Sequence, residues 1–536
     1  MLIIVPIALL LVAAVVIRII NSVKPNFSTT WLIAAGATFS AWLVISGLRL
    51  YLPSTVNLIG WQPEVLFHAS PKLLLDYQTW PYALSLVTLC MAVIFTDSAR
   101  TRTESSPVTW AGSLAITSIG LLALLAGDPL TMVMAWAFVD LIELVYLLST
   151  QDSDVFYPRI ILFYGIRLLS IIMFIWATMV GWLDAGSFDL TTIPARSGMY
   201  FLIAAGLRLG VLPLNLPFLN EPELKRGAGT LLRLAPVASS LSVISRLPEN
   251  AFTIRPNWVL PLQAMTALAA IYSAGMWATR ADETEARPYW IVSLASFGIA
   301  CAINGQAEAS RAWGVALLLS GSMLFLFYPR IKRMRFLLFT GLIGLVALPF
   351  TPSATGWQGL IGQGFNFWSA VMILAHALLV LGYLRYILTA SDAATGLETW
   401  ARIIYPLGLI FTFQTHVAIG LIGWPGVFTV GLWWGGLASL LITILALILV
   451  WRLGLIPPYF FLPEGGKSFV LIRKVLPLIE DFFRLDWAYR LVWSIYTLFG
   501  KLMVTIIAIL EGEGGVLWAL LLLVLLITVL FSMGGT

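Results

Sequence analysis

The stretch LTMVMAWAFVDLIELVYLL, residues 130–148, decides the fold. It is mostly apolar, with Asp140 and Glu143 as its only charged residues, and as an α-helix it is long enough to cross a hydrocarbon layer of about 30 Å. Backbone polar groups have no water partner inside a bilayer, so a spanning segment must pair them within a helix or a closed barrel. Because polar and apolar residues do not alternate as in a barrel strand, the stretch predicts a transmembrane helix.

The composition of the whole chain gives the same prediction. Of its 536 residues, 60% are hydrophobic and only 11% are charged, and the mean hydropathy is +0.93. A soluble domain carries about 25% charged residues, because its core must be coated for water. We therefore expect an all-α polytopic membrane protein surrounded by lipid. The net charge of +5 is small for this length, and we expect no nucleic-acid partner.

Apolar runs of this kind recur along the chain and predict about sixteen transmembrane helices. The first is expected to be a retained helix, because it lacks a preceding basic region and a small-residue cleavage site. The predicted spans are Leu2–Ile20, Trp31–Leu52, Trp80–Thr96, Val108–Ala126, Leu130–Leu148, Tyr157–Trp182, Met199–Leu219, Thr230–Ile244, Trp258–Trp277, Tyr289–Ile303, Ala312–Phe327, Phe336–Phe350, Phe365–Leu388, Ile403–Ile422, Val427–Trp451 and Val516–Phe531.

Positive charge in the loops predicts the orientation. Basic residues near span ends stay in the cytoplasm, and one alternate set of loops holds most of them. The opposite set has little beyond Lys72, Arg196, Arg246, Arg255 and Arg311. An even number of spans then places both termini on the outer side of a bacterial-type inner (plasma) membrane. The basic set comprises Arg18, Lys24, Arg100, Arg102, Lys225, Arg226, Arg280, Arg287, Arg330, Lys332, Arg333, Arg335, Arg452, Lys467, Arg473 and Lys474.

The C-terminal part differs from the core at residues 1–452. Residues 453–514 open with the loop IPPYFFLPEGG and continue with charges and aromatic residues at intervals, such as Asp481, Arg484 and Trp487. This spacing favours a lateral amphipathic helix on the cytoplasmic side; an ordinary span with polar ends is the alternative. Residues 515–536 predict a C-terminal anchoring transmembrane helix.

Five ionisable residues at span depth are candidates for an ion path, since charge in the membrane is costly. Asp140 and Glu143 lie three residues apart and share one helical face, while Arg167, Arg208 and Arg233 lie in the next three spans. Arginine keeps its proton in proteins, so a Glu143–Arg208 pair would suit a fixed electrostatic anchor better than a proton carrier. The alternative is a static buried ion pair that fixes helix packing.

His376 and His416 lie in later apolar runs and complete the ion-path candidates. An imidazole can gain and lose a proton near neutral pH. The structural alternative is a hydrogen-bonded packing residue.

Two spans are predicted to be broken. Pro213 and Pro217 remove backbone donors from the seventh span, and Pro349, Pro352 and Gly356 interrupt the twelfth. Broken helices in corresponding positions of two halves indicate a transport path. The alternative is prolines tolerated at helix ends, which are common in membrane helices.

Several of these segments resemble the antiporter-like membrane subunits of respiratory complex I, shared with Mrp-type sodium/proton antiporters and membrane-bound hydrogenases. The resemblance runs from about Asp76 to Leu388, with a weaker echo at the C-terminus. It rests on KLLLDYQTW (72–80), GDPLTMVMAWAFVDLIELVYLLS (127–149), GLRLGVLPLN (206–215), ADETEARPYWIVSLAS (281–296) and GLIGLVALPFTPSATGWQGL (341–360).

The resemblance implies two inverted five-helix repeats, but the ion-path residues of the family mostly do not carry over. Its glutamate falls on Ala137, with Asp140 or Glu143 one turn away as substitutes. Its seventh-helix lysine falls on Arg208, and its two histidines fall on Asn215 and roughly on Arg233. The mid-chain lysine of its second half falls near Gly321, and its broken-helix lysine or glutamate falls on Leu360.

The leading functional prediction is a membrane-arm subunit of a complex I-like, NADH:quinone oxidoreductase-related assembly, with a divergent proton path that is altered or lost. The alternatives are the membrane subunit of an inorganic-carbon (anion) uptake system or of an Mrp-type cation/proton antiporter, and a purely structural scaffold. The expected partners are the lipid bilayer and other membrane subunits. The chain has no cluster of Cys or His ligands, so we expect no metal, no cofactor and no catalytic residue in it.

Overall fold

The computed structural model describes most of the predicted membrane core. The described residues are 2–24, 29–58, 70–99, 106–150, 157–215, 226–280, 282–327, 335–346, 351–362, 364–388, 400–424, 434–452, 494, 497–498, 501 and 520–528. The chain divides into two compact units, Met1–Gly466 and Lys467–Thr536. In the second unit, residues 520–528 are helical. The predicted lateral helix falls almost entirely outside the described residues, and it stays a prediction together with the domain boundaries.

The first unit is helical, as predicted. Its helices are α1 Ile4–Val23, α2 Thr30–Gly47, α3 Trp80–Thr96, α4 Pro107–Leu124, α5 Pro129–Thr150, α6 Tyr157–Ala185, α7 Ala195–Leu209, α8 Arg226–Ile244, α9 Val259–Thr279, α10 Glu283–Ile303, α11 Ala307–Leu326, α12 Arg335–Leu345, α13 Pro352–Ile361, α14 Phe367–Leu388, α15 Ala401–Gly423 and α16 Trp434–Arg452. Strands β1 (Ser54–Asn57) and β2 (Lys72–Leu75) pair antiparallel and form a short hairpin.

Twelve of the described helices are long and apolar enough to cross a membrane, which confirms a multi-pass membrane protein. Helices α8, α10 and α11 are buried over almost their whole length and form the core. Helices α1, α2 and α6 bury only one stripe and expose leucine, isoleucine and valine on the other side. Those exposed faces suit lipid, because lipid tails impose no cost on apolar side chains.

The ends of the helices meet at two faces. At one, which we call the hairpin face, Lys72 of β2 pairs with Asp189 beyond α6, and Arg246 beyond α8 pairs with Asp76 at 3.0 Å. At the opposite face, Arg226 at the start of α8 pairs with Glu283 at the start of α10. Helix α8 therefore begins at the opposite face and ends at the hairpin face.

Both predicted breaks are present, and they shorten the predicted spans. Helix α7 ends at Leu209, because Gly210 adopts a left-handed conformation (φ 77°) and its N–H caps the helix. Pro213 lies in the turn that follows, so the predicted span to Leu219 was too long. The predicted twelfth span is divided into two helices. Helix α12 ends at Leu345, and helix α13 begins at Pro352. Gly356 lies inside α13, while Pro349 is outside the described residues.

Candidate functional site

The five charged candidates of the first half come together in one buried cluster. Asp140 and Glu143 project from α5, and Arg167, Arg208 and Arg233 come from α6, α7 and α8 respectively. None of the five is more than 2% exposed. We call this set the α5–α8 charge cluster. Sequence reasoning predicted its members, and the packing of four consecutive helices determines how they pair.

Each carboxylate of the cluster is held by its own arginine. Arg208 binds Asp140 with both terminal nitrogens, and its Nη1 lies 2.7 Å from Oδ2. Arg233 Nη1 donates to Glu143 Oε1 at 2.8 Å. The expected Glu143–Arg208 pair is therefore wrong. Glu143 lies seven residues before the last residue of α5, and Arg233 lies seven residues after the first residue of α8. Because both of these helix ends are at the opposite face, Glu143 and Arg233 lie at the same depth and pair, and Asp140 pairs with Arg208.

Arg167 lies between the two pairs. Its Nη1 is 3.5 Å from Asp140 Oδ1 and its Nη2 is 3.4 Å from Glu143 Oε2. These are ion-pair distances, and none of its three nitrogens has a hydrogen-bond partner among the described residues. Its guanidinium lies 5.0 Å from the ring centre of Phe163. The cluster thus holds three arginines against two carboxylates.

Aromatic side chains hold the guanidinium groups in place. Arg208 stacks on Trp136 at 4.6 Å, and the Trp136 indole N–H donates to Ser239 of α8 at 3.0 Å. Phe174 meets Trp136 edge to face at 4.9 Å. Sequence reasoning missed the supporting role of Phe163, Phe174 and Ser239. The only sign of such support in the sequence is the spacing of Trp136 and Asp140, which lie one helical turn apart and therefore on the same face of α5.

This arrangement holds the charged groups of the cluster in fixed positions. A proton relay needs a partner that can give up its proton, and arginine does not do so in proteins. The planar fork of Arg208 matches the carboxylate of Asp140 and leaves it little freedom to turn toward another acceptor. The cluster is therefore suited to holding four helices together and to setting a positive potential inside the helix bundle.

The structure places the two histidines in the second half. Within the described residues, neither contacts the charge cluster. His376 of α14 lies within hydrogen-bond distance of Ser439 Oγ (2.7 Å) and of the Leu345 carbonyl (3.1 Å). Leu345 is the last residue of α12, so the imidazole serves a carbonyl that the helix break leaves unpaired. Both ring nitrogens of His376 thus lie within hydrogen-bond distance of a described acceptor or hydroxyl group.

His416 of α15 has a less satisfied environment. Its Nε2 has no hydrogen-bond partner among the described residues, and the same holds for Ser320 Oγ of α11. A Cβ built on Gly344 of α12 would lie 3.1 Å from His416 Nδ1 and 2.7 Å from Ser320 Oγ. The three residues therefore share one small space beside the broken helix, and Gly344 is needed for the close approach.

The resemblance implies a lysine near Gly321 in the second half, but the indole of Trp290 lies against this position. A Cβ on Gly321 of α11 would overlap Trp290 of α10, whose Cε2 would be only 2.5 Å away. Trp290 is fully buried, and its Nε1 donates to the Leu317 carbonyl at 3.2 Å. The space that a lysine side chain would need is therefore occupied by Trp290.

A line of polar contacts along α8 was missed by sequence reasoning. Arg226, Thr230 and Arg233 follow a helical spacing, and each meets a different partner. Arg226 Nη1 lies 2.5 Å from Glu283 Oε1, and Thr230 accepts from Arg287 at 2.9 Å. The sequence assigned Glu283 and Arg287 to a loop, although both are buried in α10.

At the hairpin face, Arg246 lies just beyond the end of α8 and pairs with Asp76. Burial lowers the pKa of Arg246, and the carboxylate of Asp76 opposes that shift. Ion pairs thus hold α8 at both ends and near its middle.

Comparisons with known proteins agree with this architecture. No family model matches the sequence, and no curated protein matches it significantly. Solved structures do match. A chain of the membrane-bound sulfane sulfur reductase, an archaeal respiratory membrane complex, superposes with a TM-score of 0.68 at 13% identity, covering 98% of this chain and 99% of that one.

Two further complexes contain similar chains. A chain of the Mrp complex from Dietzia sp. DQ12-45-1b has a TM-score of 0.63 at 16% identity, over 95% of this chain and 63% of its own length. A chain of respiratory complex I from Thermus thermophilus has a TM-score of 0.58 at 13% identity, over 78% of this chain and 98% of its own length. The chain therefore shares the fold of these membrane-complex subunits, which confirms the resemblance to antiporter-like subunits at the level of the fold.

Proposed function

We propose that this chain is a membrane-arm subunit of a complex I-like ion-translocating assembly, and that its own charge cluster does not relay protons. The observation that carries the proposal is the pairing of both α5 carboxylates with arginine, in a site that is almost fully buried. The shared fold supports a place in such an assembly. Loss of the titratable partner supports an altered path within that fold.

The second half supports the same proposal. Trp290 occupies the space beside Gly321, and His376 is engaged with a backbone carbonyl and Ser439. A relay across the membrane needs a continuous series of groups that exchange protons. The cluster and the Trp290 site would each interrupt one half of such a series.

We further propose a plasma membrane location with the hairpin face outward and other membrane subunits as neighbours. The opposite face carries Arg226, Arg280 and Arg287 near helix ends, and positive residues at span ends favour the cytoplasm. This orientation is tested with the variant Thr55→Cys in β1, by labelling whole cells with an impermeant maleimide.

The proposed assembly is tested by isolating a tagged chain in mild detergent and identifying its stable partners by mass spectrometry. We expect iron–sulfur and quinone-site subunits to accompany it. If the chain is isolated alone, or with one large soluble zinc protein, the complex I-like assignment fails.

A second candidate, transport of a small anion, is favoured by one observation. The cluster has an excess of one arginine, and Arg167 makes no hydrogen bond to a described residue. Bicarbonate that raises the melting temperature of the isolated wild-type chain, but not of Arg167→Gln, would support this candidate.

Glu143→Gln is expected to lower the amount of assembled complex, because the Glu143–Arg233 ion pair is lost, while the protons moved per electron in each assembled complex stay unchanged. The measurement is acidification of inverted vesicles, normalised to the complex content. Asp184→Asn, an exposed carboxylate at the end of α6, is the matched control. A drop in protons per electron for Glu143→Gln alone would show that the cluster carries protons.

A further inference from the structure

Among the described residues, three basic side chains at the hairpin face have a specific polar side-chain partner. Lys72 pairs with Asp189, Arg246 pairs with Asp76, and Arg255 donates to the Tyr200 hydroxyl at 2.6 Å. Arg49 and Arg311 differ from these, because both line one cavity of about 320 Å³. This volume is at the lower end of the range for small-molecule sites.

The walls of the cavity come from distant parts of the chain. Arg49 follows α2, Tyr77 and Gln78 precede α3, Ser245 follows α8, and Glu308 and Arg311 belong to the first turns of α11. Two arginines and one carboxylate leave an excess of one positive charge. Glu308 is mostly exposed, with its Oε1 3.7 Å from Arg311 Nη2, which is too far for a hydrogen bond.

Arg311 is a buried cation with unused donor capacity. It is 6% exposed, and its Nε has no hydrogen-bond partner among the described residues. Its Nη1 donates to the Tyr77 carbonyl at 3.2 Å, and its guanidinium stacks on Trp424 at 4.6 Å. The contacts with Tyr77 and Trp424 fix the side chain at the cavity wall, where an anion would complete its hydrogen bonding.

Arg49 faces the same cavity from the other side. Its guanidinium lies 4.8 Å from the ring of Tyr77 and 5.2 Å from that of Trp80, and its Nη2 donates to the Ile422 carbonyl at 3.2 Å. Ala307, the first residue of α11, also lines the cavity, and the preceding Gln306 side chain makes no capping bond. The positive end of a 20-residue helix therefore adds to the two arginines.

We propose that this cavity binds the phosphate group of an anionic phospholipid. Two arginines and a helix N-terminus provide the donors that phosphate oxygens accept. The site lies at the ends of membrane-spanning helices, beside the exposed Leu50 and Tyr51, so the acyl chains of a lipid could remain in the bilayer. A bound lipid would join α2, α3, α11 and α15, since Arg49 and Arg311 contact residues of each or beside each.

The test is native mass spectrometry of the full chain in detergent with added phosphatidylglycerol or phosphatidylcholine. We expect wild type to retain phosphatidylglycerol preferentially, and Arg49→Gln to bind it about tenfold more weakly, as expected for loss of a charge-assisted hydrogen bond. Arg196→Gln, which removes an exposed positive charge at the same face, is the matched control and is expected to bind like wild type. Equal binding by Arg49→Gln and wild type would overturn the proposal, and so would equal loss in both variants.

Two further measurements exclude misfolding and a different source of phosphate. Arg49 is only half-buried, so Arg49→Gln is expected to melt like wild type before lipid is added, and to gain less stability from phosphatidylglycerol. If Arg49→Gln unfolds without lipid, Arg49→Lys, which retains the charge, is expected to restore folding and binding. If inorganic phosphate stabilises wild type as strongly as the lipid does, the lipid assignment is overturned in favour of a soluble phosphate compound.

Discussion

Asp140→Asn is expected to lower the free energy of unfolding by about 3–5 kcal/mol, the usual cost of breaking a buried ion pair from one side. Asparagine has nearly the same shape, so packing changes little. The loss arises because Arg208 gives up two charge-assisted contacts, and Arg167 gives up one of its two ion pairs. Among the described residues of this buried cluster, three arginines would then stand against one carboxylate.

Unfolding of the purified chain by a denaturing detergent measures this loss, with Asp184→Asn as the exposed-carboxylate control. The double variant Asp140→Asn with Arg208→Gln separates charge from packing, because removing both partners leaves fewer uncompensated groups. It is expected to be more stable than Asp140→Asn alone. A single variant as stable as wild type would contradict the description of the cluster as a structural anchor.

Gly321→Lys is expected to abolish accumulation of the folded protein, although the resemblance implies a lysine near this position. Even the Cβ of such a side chain would overlap the indole of Trp290. Adding volume to a well-packed core costs about 1–3 kcal/mol, and a buried ammonium group without a partner would add its own desolvation cost. Gly321→Ala, which adds only the methyl group, is expected to lose about 1–3 kcal/mol.

The control for this prediction is Gly275→Ala in α9, where a Cβ would meet nothing within 4 Å. This change is expected to be neutral or stabilising, because alanine loses less conformational freedom than glycine in a helix. Trp290→Ala should remove the overlap, so a double-mutant cycle with Gly321→Ala is expected to show strong coupling. Additive effects of the two changes would contradict the role of Trp290 as the group that fills this space.

In the first half, arginine stands where the resemblance implies a lysine, at Arg208. In the second half, Trp290 fills the space where the resemblance implies a lysine. Both changes preserve the helical fold, which needs packing and paired charges, and both remove groups that could exchange a proton. The fold can therefore be shared with ion-translocating complexes without the same path.

The membrane class, most of the spanning helices and both helix breaks were predictable from local sequence. Spans such as Leu130–Leu148 were predictable because a bilayer requires about twenty apolar residues in one run. Pro213 and Gly210 interrupt a helix through local backbone chemistry, so α7 could be expected to break near them. The charged candidates were predictable for a similar reason, since the cost of a charge within an apolar run is visible without any neighbour.

Tertiary structure alone decided which groups meet. Asp140 pairs with Arg208 and Glu143 with Arg233, contrary to the pair considered from the sequence, because relative depth across four helices selects the partner. The engagement of His376 with Leu345, the overlap at Gly321 with Trp290, and the cavity between Arg49 and Arg311 likewise join residues far apart in the chain. Hydropathy and helix propensity are local properties, whereas ion pairs and packing depend on which helix faces meet, so only the folded chain determines them.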